Sequence, residues 1–202
     1  MSTAAQTTAI DRNAILGVSP RLVVDPESVS DAAAALRSFA GDKLAVAFVG
    51  GGTDLELGAP PTRLDVVLRT SKLSHIVEYA PSDQIVAVEG GMTLADLQQQ
   101  LAAQGQTLAI DPPFPERATV GGIVAANAFG PRRARYGSAR DLVIGITIVR
   151  ADGTVARGGG KVVKNVAGFD LPRLFCGSLG TLGLIAEVIF RLHPLPAAST
   201  TV

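Results

Sequence analysis

The chain has 202 residues, of which 47 % are hydrophobic and 18 % are charged, so it can bury a sizeable core and is not a disordered polypeptide. Its 18 basic and 18 acidic residues give a net charge of zero, which argues against a nucleic-acid binder because such proteins carry a basic excess. The lone cysteine, Cys176, excludes an internal disulfide and fits a reducing compartment.

No targeting or membrane-spanning segment is visible in the sequence. Residues 1–17 lack the basic start and apolar run of a secretory signal. No window approaches the ~20 uninterrupted apolar residues of a membrane-spanning helix. We therefore expect a cytoplasmic protein without a transmembrane segment, and peripheral attachment to the inner membrane through partners stays open.

The first half of the chain alternates strands with helices. A short strand at residues 22–24 precedes a helix that Ser28 caps, with Asp31 in the capping-box position and Gly41 as its stop. Residues 44–49 then form a buried apolar strand.

Two further strands, near residues 64–68 and 85–88, precede a helix that begins at Thr93 and ends at Gly105. The apolar stripe of this helix consists of Leu94, Leu97 and Leu101. Leucines at this spacing predict that one face of the helix is buried.

The second half of the chain is richer in hairpins. Residues 142–149 are apolar on both faces and predict a central strand, after which Asp152-Gly153 forms a hairpin turn. Asp170 begins a short helix that Gly177 ends, and residues 184–192 form the last strand.

This order of elements predicts an α+β fold of two lobes, with mixed sheets and flanking helices. We expect the lobes to divide near Pro112–Pro115. The predicted parts are a flexible N-terminus (1–20), a first lobe (21–112), a second lobe (113–196) and a C-terminal tail (197–202).

A first glycine cluster follows directly after the strand that ends at Val49. It consists of Gly50, Gly51, Gly52, Thr53 and Asp54. Consecutive glycines let the backbone turn sharply and direct several N–H groups at one anion, such as a pyrophosphate. A Rossmann loop is excluded, because Leu55 stands where its third glycine belongs. An ordinary glycine turn between strands stays open as an alternative.

A second cluster, TVGGIVAAN, spans residues 119–127. Thr119 is a candidate N-cap, and Gly121 and Gly122 would let a ligand approach bare N–H groups in the first helical turn. Ala125 and Ala126 have small side chains, so a flat ring or a phosphate could lie close to the helix. A tight contact between two helices would favour the same small residues, and this alternative also stays open.

An arginine run follows this cluster, with Arg132, Arg133 and Arg135 in sequence GPRRARYG. These arginines could meet an acidic substrate, and a solvated or partner-facing surface is the alternative that we favour. The zero net charge argues against a nucleic-acid site here.

A third cluster runs through residues 164–170 and continues through the glycines of residues 177–183. The upstream segment at residues 158–161, GGGK, is not a P-loop, because Val162 stands where a P-loop requires a hydroxyl side chain.

Acid–base and metal-binding residues are scarce. His75 and His193 are far apart, and no zinc-binding or nucleophile-elbow spacing occurs, so we predict no metal site. Cys176 is expected to be a small buried hydrophobe. A chain poor in acid–base residues and rich in glycine-lined backbone is typical of a protein whose cofactor performs the chemistry.

The three clusters, in this order, resemble the FAD-binding domain of the vanillyl-alcohol oxidase/p-cresol methylhydroxylase (PCMH) superfamily. The resemblance covers residues 25–196. The strings TVGGIVAANAFGPRRARYGSARDLVIG and GGKVVKNVAGFDLPRLFCGSLGTLGLIAEV are most similar to the FAD-binding E subunits of bacterial glycolate oxidase, also called glycolate dehydrogenase. The resemblance implies a two-lobed PCMH-type domain with FAD between the lobes.

The resemblance also implies roles for individual residues. The implied cofactor-binding residues are Gly50, Gly51, Gly52, Thr53, Asp54, Thr119, Val120, Gly121, Gly122, Ala126, Asn127, Tyr136, Gly137 and Ile185. The first loop contains no histidine, the residue through which some members attach flavin covalently, so we predict non-covalent FAD. No residue of the sequence identifies itself as a catalytic base.

The activity that the resemblance implies is an FAD-dependent oxidoreductase reaction. It would oxidise glycolate or a related 2-hydroxy acid by hydride transfer to flavin, with the electrons passing to flavin and iron–sulfur subunits of a complex. The substrate or cap domain of the superfamily is absent from the 202 residues, so we expect little turnover by the chain alone. The main alternative is a flavin-binding structural subunit that supports a catalytic paralogue. A reductase of the cell-wall enolpyruvyl-sugar type is disfavoured by the residue 164–170 string.

Overall fold

The structure is a computed structural model that describes residues 13–160 and 169–198. Its strands are β1 (Leu22–Val24), β2 (Val46–Val49), β3 (Val66–Arg69), β4 (Ile76–Ala80), β5 (Ile85–Glu89), β6 (Gln106–Thr107), β7 (Val143–Val149), β8 (Val155–Gly159), β9 (Leu184–Arg191) and β10 (His193–Pro194). Its α-helices are α1 (Val29–Gly41), α2 (Leu94–Ala102), α3 (Val120–Ala126), α4 (Arg133–Tyr136), α5 (Ala139–Leu142) and α6 (Leu171–Phe175). A 3₁₀ turn at Pro81–Asp83 joins β4 to β5. The α+β class predicted from the sequence is confirmed.

A three-stranded parallel sheet has the order β1-β3-β2. Helix α1 connects β1 to β2 and buries Ala32 and Leu36 in a cluster that includes Leu68 of this sheet. The same cluster contains Leu184 and Ala186 of β9. Helix α1 therefore packs against the three-stranded sheet and against β9, and it holds the two together. A separate two-stranded antiparallel sheet pairs β10 with β6.

The predicted cap of α1 is confirmed, and the helix ends at Gly41 as predicted, but without the left-handed glycine that such a stop normally uses. The backbone N–H of Asp31 donates to Ser28 Oγ at 3.1 Å, which satisfies one amide of the first turn. Gly41 is still within the helix, and the residue with left-handed backbone is Lys43, with φ of 55°. The helix therefore ends without a glycine in the left-handed position.

A five-stranded antiparallel sheet has the order β4-β5-β9-β7-β8. Strand β9 lies at its centre and buries Val188 and Phe190 completely. Strand β7 lies between β9 and β8, so its prediction as an interior strand is confirmed. Gly153, with φ of 76°, supplies the predicted hairpin turn between β7 and β8.

Helix α2 covers this sheet in the predicted way. The Thr93 hydroxyl accepts from the N–H of Asp96, and the leucines at positions 94, 97 and 101 are all buried in the main core. The helix ends at Ala102, before the predicted stop, and Gly105, with φ of 66°, lies in the turn that follows. Local capping and periodicity are therefore sufficient to define α2.

The lobes are less simple than the sequence suggests. Strand β4 was not predicted, and it pairs with β5 in the five-stranded sheet although both precede residue 112. The lobe boundary near Pro112 stays a prediction that this sheet membership does not support. Strand β2 begins at Val46 and is half-buried, where full burial was expected, because residues of β2 line a cavity.

Candidate functional site

A cavity of about 430 Å³ lies where the three-stranded sheet meets α3 and β9. Three segments supply most of its wall: the loop after β2, the first turns of α3, and the loop that leads into β9. The lining also includes Ile15, Thr70 and Gly90. A volume of this size is within the range of about 300–1,000 Å³ that is usual for small-molecule sites.

The loop after β2 carries unpaired backbone donors. Within the described residues, the N–H groups of Gly51, Gly52, Thr53 and Asp54 make no hydrogen bond. Gly52 has φ of 68°, a conformation that glycine adopts without steric cost. The Thr53 hydroxyl donates to Asp54 Oδ2 at 2.8 Å. The wall of the cavity therefore contains a row of free amides suited to an anion.

Two glycines of this loop are required by packing. A Cβ on Gly50 would lie 2.0 Å from Thr119 Oγ1, and a Cβ on Gly51 would lie 1.6 Å from the carbonyl oxygen of Arg117. The loop therefore lies directly against the residues that begin α3. Because positions 50 and 51 have no side chain, the loop and the start of α3 can pack together and form one continuous wall of the cavity.

The first turn of α3 differs from the prediction. The N–H of Gly121 donates to Gly90 O at 2.7 Å, and the N–H of Gly122 donates to Thr119 Oγ1 at 3.4 Å. The N–H of Val120 is also paired, with Met92 O at 2.8 Å. The expectation of bare N–H groups here is wrong: the chain after β5 accepts from Val120 and Gly121, and the Thr119 side chain, the predicted N-cap, accepts from Gly122. The free amides of the cavity wall lie in the loop after β2.

The glycines of α3 allow close approach instead. A Cβ on Gly121 would lie 2.9 Å from Gly90 O, so Gly121 brings α3 against the chain after β5. A Cβ on Gly122 would meet only Thr119 Oγ1 within 4 Å, at 3.1 Å. Gly122 therefore presents a bare surface to the cavity, continuous with Ala125 and Ala126.

The third segment belongs to the cluster at residues 177–183. The N–H of Leu179 donates to Ala125 O at 2.9 Å, which holds this loop beside α3. Gly180, Thr181 and Gly183 line the cavity, followed by Ile185 of β9. The sequence singled out this glycine-rich run but assigned roles only to Ile185.

Ten of the fourteen sequence-predicted residues line the cavity. They are Gly50, Gly51, Gly52, Thr53, Asp54, Thr119, Gly121, Gly122, Ala126 and Ile185. Their separate positions in the sequence are brought together by the packing of β2, α3 and β9. Their role as cofactor ligands stays a prediction.

The other four predicted residues lie outside this lining. Val120 is fully buried in the core, and Asn127 is the left-handed C-cap of α3, with φ of 50°. The Tyr136 ring packs against His193, with ring centroids 4.9 Å apart. Gly137 lies next to the Asp141 carboxylate. The predicted string at residues 164–168 lies outside the described residues.

Gly90, which faces Gly121 and lines the cavity, was not predicted from the sequence. A Cβ on Gly90 would lie 2.3 Å from the carbonyl oxygen of Ile185. The adjacent pair Gly90-Gly91 at the end of β5 is the signal that could have identified this position. Paired glycines after a strand indicate a close approach of another backbone.

Asp54 is the only ionisable side chain in the described lining of the cavity. Burial raises the pKa of the Cys176 thiol to about 11, so this cysteine is a poor nucleophile. Burial and then the charge of Arg191 lower the pKa of His193, which lies outside the cavity. Across residues 13–160 and 169–198, no three His, Cys, Asp or Glu residues are grouped to hold a metal ion. The cavity is built for binding more than for acid–base chemistry.

The residues present fit FAD on two counts. Free amides at residues 51–54 can receive the oxygens of a diphosphate. The small residues Gly122, Ala125 and Ala126 leave a flat surface for a planar group. No helix in the part of the chain that the structure describes has the length and apolar character needed to cross a membrane.

Comparison with known proteins agrees with this geometry. A family model described as "FAD binding domain" matches residues 20–159. The chain is 39 % identical over 159 residues to glycolate oxidase subunit GlcE of Escherichia coli, covering 78 % of this chain and 45 % of that protein. It is 34 % identical over 182 residues to glycolate oxidase subunit GlcD of Bacillus subtilis, covering 90 % of this chain and 39 % of that protein. It is 38 % identical over 184 residues to a D-lactate dehydrogenase of Archaeoglobus fulgidus, covering 88 % of this chain and 41 % of that protein.

A solved structure of alkyldihydroxyacetonephosphate synthase has the same fold, with a TM-score of 0.76 and 23 % sequence identity over 87 % of this chain and 32 % of that one. The chain spans less than half the length of these curated relatives. The family match and the free amides of the cavity agree on FAD as the ligand. The chain belongs to the FAD-binding domain family, within the PCMH-type flavoproteins that include the glycolate oxidase subunits.

Proposed function

We propose that this chain binds FAD non-covalently in the cavity and is the FAD-binding part of an oxidoreductase that acts on glycolate or a related 2-hydroxy acid. The observation that carries the proposal is the row of unpaired amides at residues 51–54 in the cavity wall. Such donors favour a diphosphate, which joins the two halves of a dinucleotide.

The substrate class rests on the relatives. The relatives include glycolate oxidase subunits, D-lactate dehydrogenases and a bovine mitochondrial D-2-hydroxyglutarate dehydrogenase. The compounds in these names, glycolate, D-lactate and D-2-hydroxyglutarate, are all 2-hydroxy acids. When bound, FAD supplies the two-electron acceptor for such an oxidation. The residues of this chain bind the cofactor, and the glycine contacts of residues 50, 51 and 121 keep its binding wall closed.

The names of two relatives as glycolate oxidase subunits favour action within a complex. We therefore place this chain beside other subunits, including a flavin and an iron–sulfur subunit as electron acceptors. Its location would be cytoplasmic, with membrane attachment only through these partners.

The second candidate is a flavin-binding structural subunit that supports a catalytic paralogue. The scarcity of ionisable groups in the cavity favours it, since Asp54 is the only acidic or basic side chain among the described lining residues. A 2-hydroxy acid requires a base for its hydroxyl proton and a cation for its carboxylate. In this candidate both groups come from another chain.

An FAD titration of the purified chain, followed by dialysis, tests the shared part of both candidates. We expect retained flavin absorbance and a saturable affinity. The variant Gly122→Leu is a matched control, because position 122 lines the cavity and an added Cβ there meets only the Thr119 hydroxyl, at 3.1 Å, and no backbone of another segment. Failure of the folded wild-type chain to bind FAD would contradict the proposed function.

Dye reduction with glycolate, D-lactate or D-2-hydroxyglutarate then separates the two candidates. The complex reconstituted with the wild-type chain is compared with a complex that contains Gly122→Leu. Loss of turnover that depends on this chain's FAD supports the oxidoreductase. Full turnover of the complex with the FAD-deficient variant supports the structural subunit.

A further inference from the structure

We propose that Arg117 is a positioning residue for the diphosphate of the bound dinucleotide: it orients the Gly51–Gly52 peptide and supplies positive charge beside the free amides. This inference rests on the proposed function, because it concerns the same cavity. Arg117 was not among the residues predicted from the sequence, and it does not itself line the cavity.

The main chain of Arg117 is fixed against the loop after β2. The N–H of Arg117 donates to Phe114 O at 2.9 Å, which holds residue 117 in a turn before α3. The Arg117 carbonyl oxygen lies 1.6 Å from the position that a Cβ on Gly51 would take. The side chain of Arg117 therefore starts from a backbone in direct contact with this loop.

The guanidinium group of Arg117 also contacts Gly51. Arg117 Nη2 donates to Gly51 O across 3.4 Å, a long hydrogen bond. Among the described residues, no carboxylate forms an ion pair with Arg117. Its positive charge is therefore not neutralised by a direct partner and lies beside the free amides.

Peptide geometry links this contact to the cavity. In a trans peptide the C=O and the following N–H point in opposite directions, and the described chain contains no cis peptide bond. A donor held at Gly51 O therefore directs the Gly52 N–H away from Arg117. That N–H is one of the unpaired amides of the cavity wall. A cation at the carbonyl also polarises the peptide and strengthens its N–H as a donor.

Charge supports the same role. Asp54 is the only charged side chain in the described lining, and its carboxylate would repel a diphosphate. Arg117 is the cation that contacts the loop containing Asp54. Its charge therefore offsets this repulsion without occupying the cavity.

The test compares Arg117→Ala and Arg117→Lys with the wild-type chain by titration of FAD, ADP and riboflavin. ADP carries the diphosphate without flavin, and riboflavin carries the ring without phosphate. We expect Arg117→Ala to weaken binding of FAD and of ADP by about tenfold, a typical effect of losing a charge-assisted contact. Riboflavin binding should not change, and Arg117→Lys should recover part of the loss.

Arg191→Ala is the control for loss of a positive charge, because Arg191 is exposed at the far end of β9 from Ile185. It should bind all three probes as the wild type does. Equal losses for riboflavin and FAD, or equal losses in both arginine variants, would overturn the inference. Unchanged FAD affinity in Arg117→Ala would overturn it as well.

A second measurement needs no ligand. The amide resonance of Gly52 in a ¹H–¹⁵N NMR spectrum should shift in Arg117→Ala and not in Arg191→Ala. An unshifted Gly52 resonance would contradict the positioning role. If the wild-type chain binds no FAD and Gly52 still shifts, the proposed function fails while the contact with the loop stands.

Discussion

Gly50 and Thr119 are in such close contact that a Cβ on Gly50 would lie 2.0 Å from the Thr119 hydroxyl oxygen. The two residues belong to different glycine clusters, and their contact joins the loop after β2 to the N-terminus of α3. The Thr119 hydroxyl also accepts from the N–H of Gly122, so it cannot move away without loss of the cap. This contact fixes the distance between two walls of the cavity.

Gly50→Ala should therefore destabilise the protein by about 1–3 kcal/mol, as overpacking of a rigid contact does. Denaturant unfolding monitored by circular dichroism measures the change. The double variant Gly50→Ala/Thr119→Gly should recover most of the loss, because glycine removes the clashing side chain and is tolerated at an N-cap. Gly41→Ala, which has nothing within 4 Å of its added Cβ, should leave stability unchanged or higher. No recovery in the double variant would contradict the explanation.

Gly121 and Gly122 should respond differently to substitution by alanine. A Cβ on Gly121 meets backbone atoms of Gly90 and Ile185, whereas a Cβ on Gly122 meets only the Thr119 hydroxyl. Gly121→Ala should unfold at lower denaturant concentration. Gly122→Ala should lose less stability than Gly121→Ala, since the preference of alanine for helix, about 1 kcal/mol over glycine, offsets the 3.1 Å contact with the Thr119 hydroxyl. Its FAD affinity should nevertheless fall, because the methyl group occupies the cavity wall. Thermal melts and FAD titrations of both variants separate the effects, and equal FAD affinity of Gly122→Ala and wild type would contradict this role.

Asp65 should make stability depend on acid pH. Its side chain is only 3 % exposed, and the N–H of Ala45 donates to its Oδ2 at 2.8 Å. That hydrogen bond, followed by Arg63 and Arg21, lowers the pKa of Asp65 in the folded protein. A lowered folded-state pKa contributes stability that is present above the unfolded-state pKa of about 3.9 and lost as the pH falls through the folded-state pKa.

Asp65→Asn should therefore be less stable than the wild type at neutral pH, and the difference should shrink below about pH 4. Unfolding curves from neutral pH to about pH 3 would measure it. Asp83→Asn, in the exposed 3₁₀ turn, should follow the wild-type pH profile. If the difference in free energy of unfolding between Asp65→Asn and the wild type stays constant across this pH range, the stabilising role of the Asp65 carboxylate is contradicted.

FAD should be released by acid. The described lining of the cavity contains no histidine, and His75 and His193 lie elsewhere. The Cys176 thiol, whose pKa burial raises to about 11, is also outside the lining. Acid precipitation of the FAD-loaded chain should leave the yellow colour in the supernatant. Colour that stays in the washed protein pellet would show a covalent bond and contradict the prediction.

Helix caps and stripes could be predicted because their interactions are local. Ser28 and Thr93 each accept from an N–H three residues ahead, and the leucine stripe of α2 needs only helical spacing to reach the core. Helix α1 ends at Gly41 as predicted, but the residue with left-handed backbone is Lys43, which the local sequence does not indicate. Strand β4 was missed, since its pairing with β5 is not visible in its own residues.

The sequence by itself determined the class of fold, the caps of the main helices, and nine residues that line the cavity, because glycine clusters and periodic apolar residues carry that information locally. A tenth lining residue, Ile185, came from the family resemblance. Only the tertiary structure decided which donors are free. The N–H groups of Gly121 and Gly122 are paired, while those of residues 51–54 are not. The physical reason is that a backbone N–H is satisfied or left free by segments distant in sequence. Here Gly90 O, after β5, accepts from the N–H of Gly121, whereas the N–H of Gly122 is satisfied locally by the Thr119 hydroxyl.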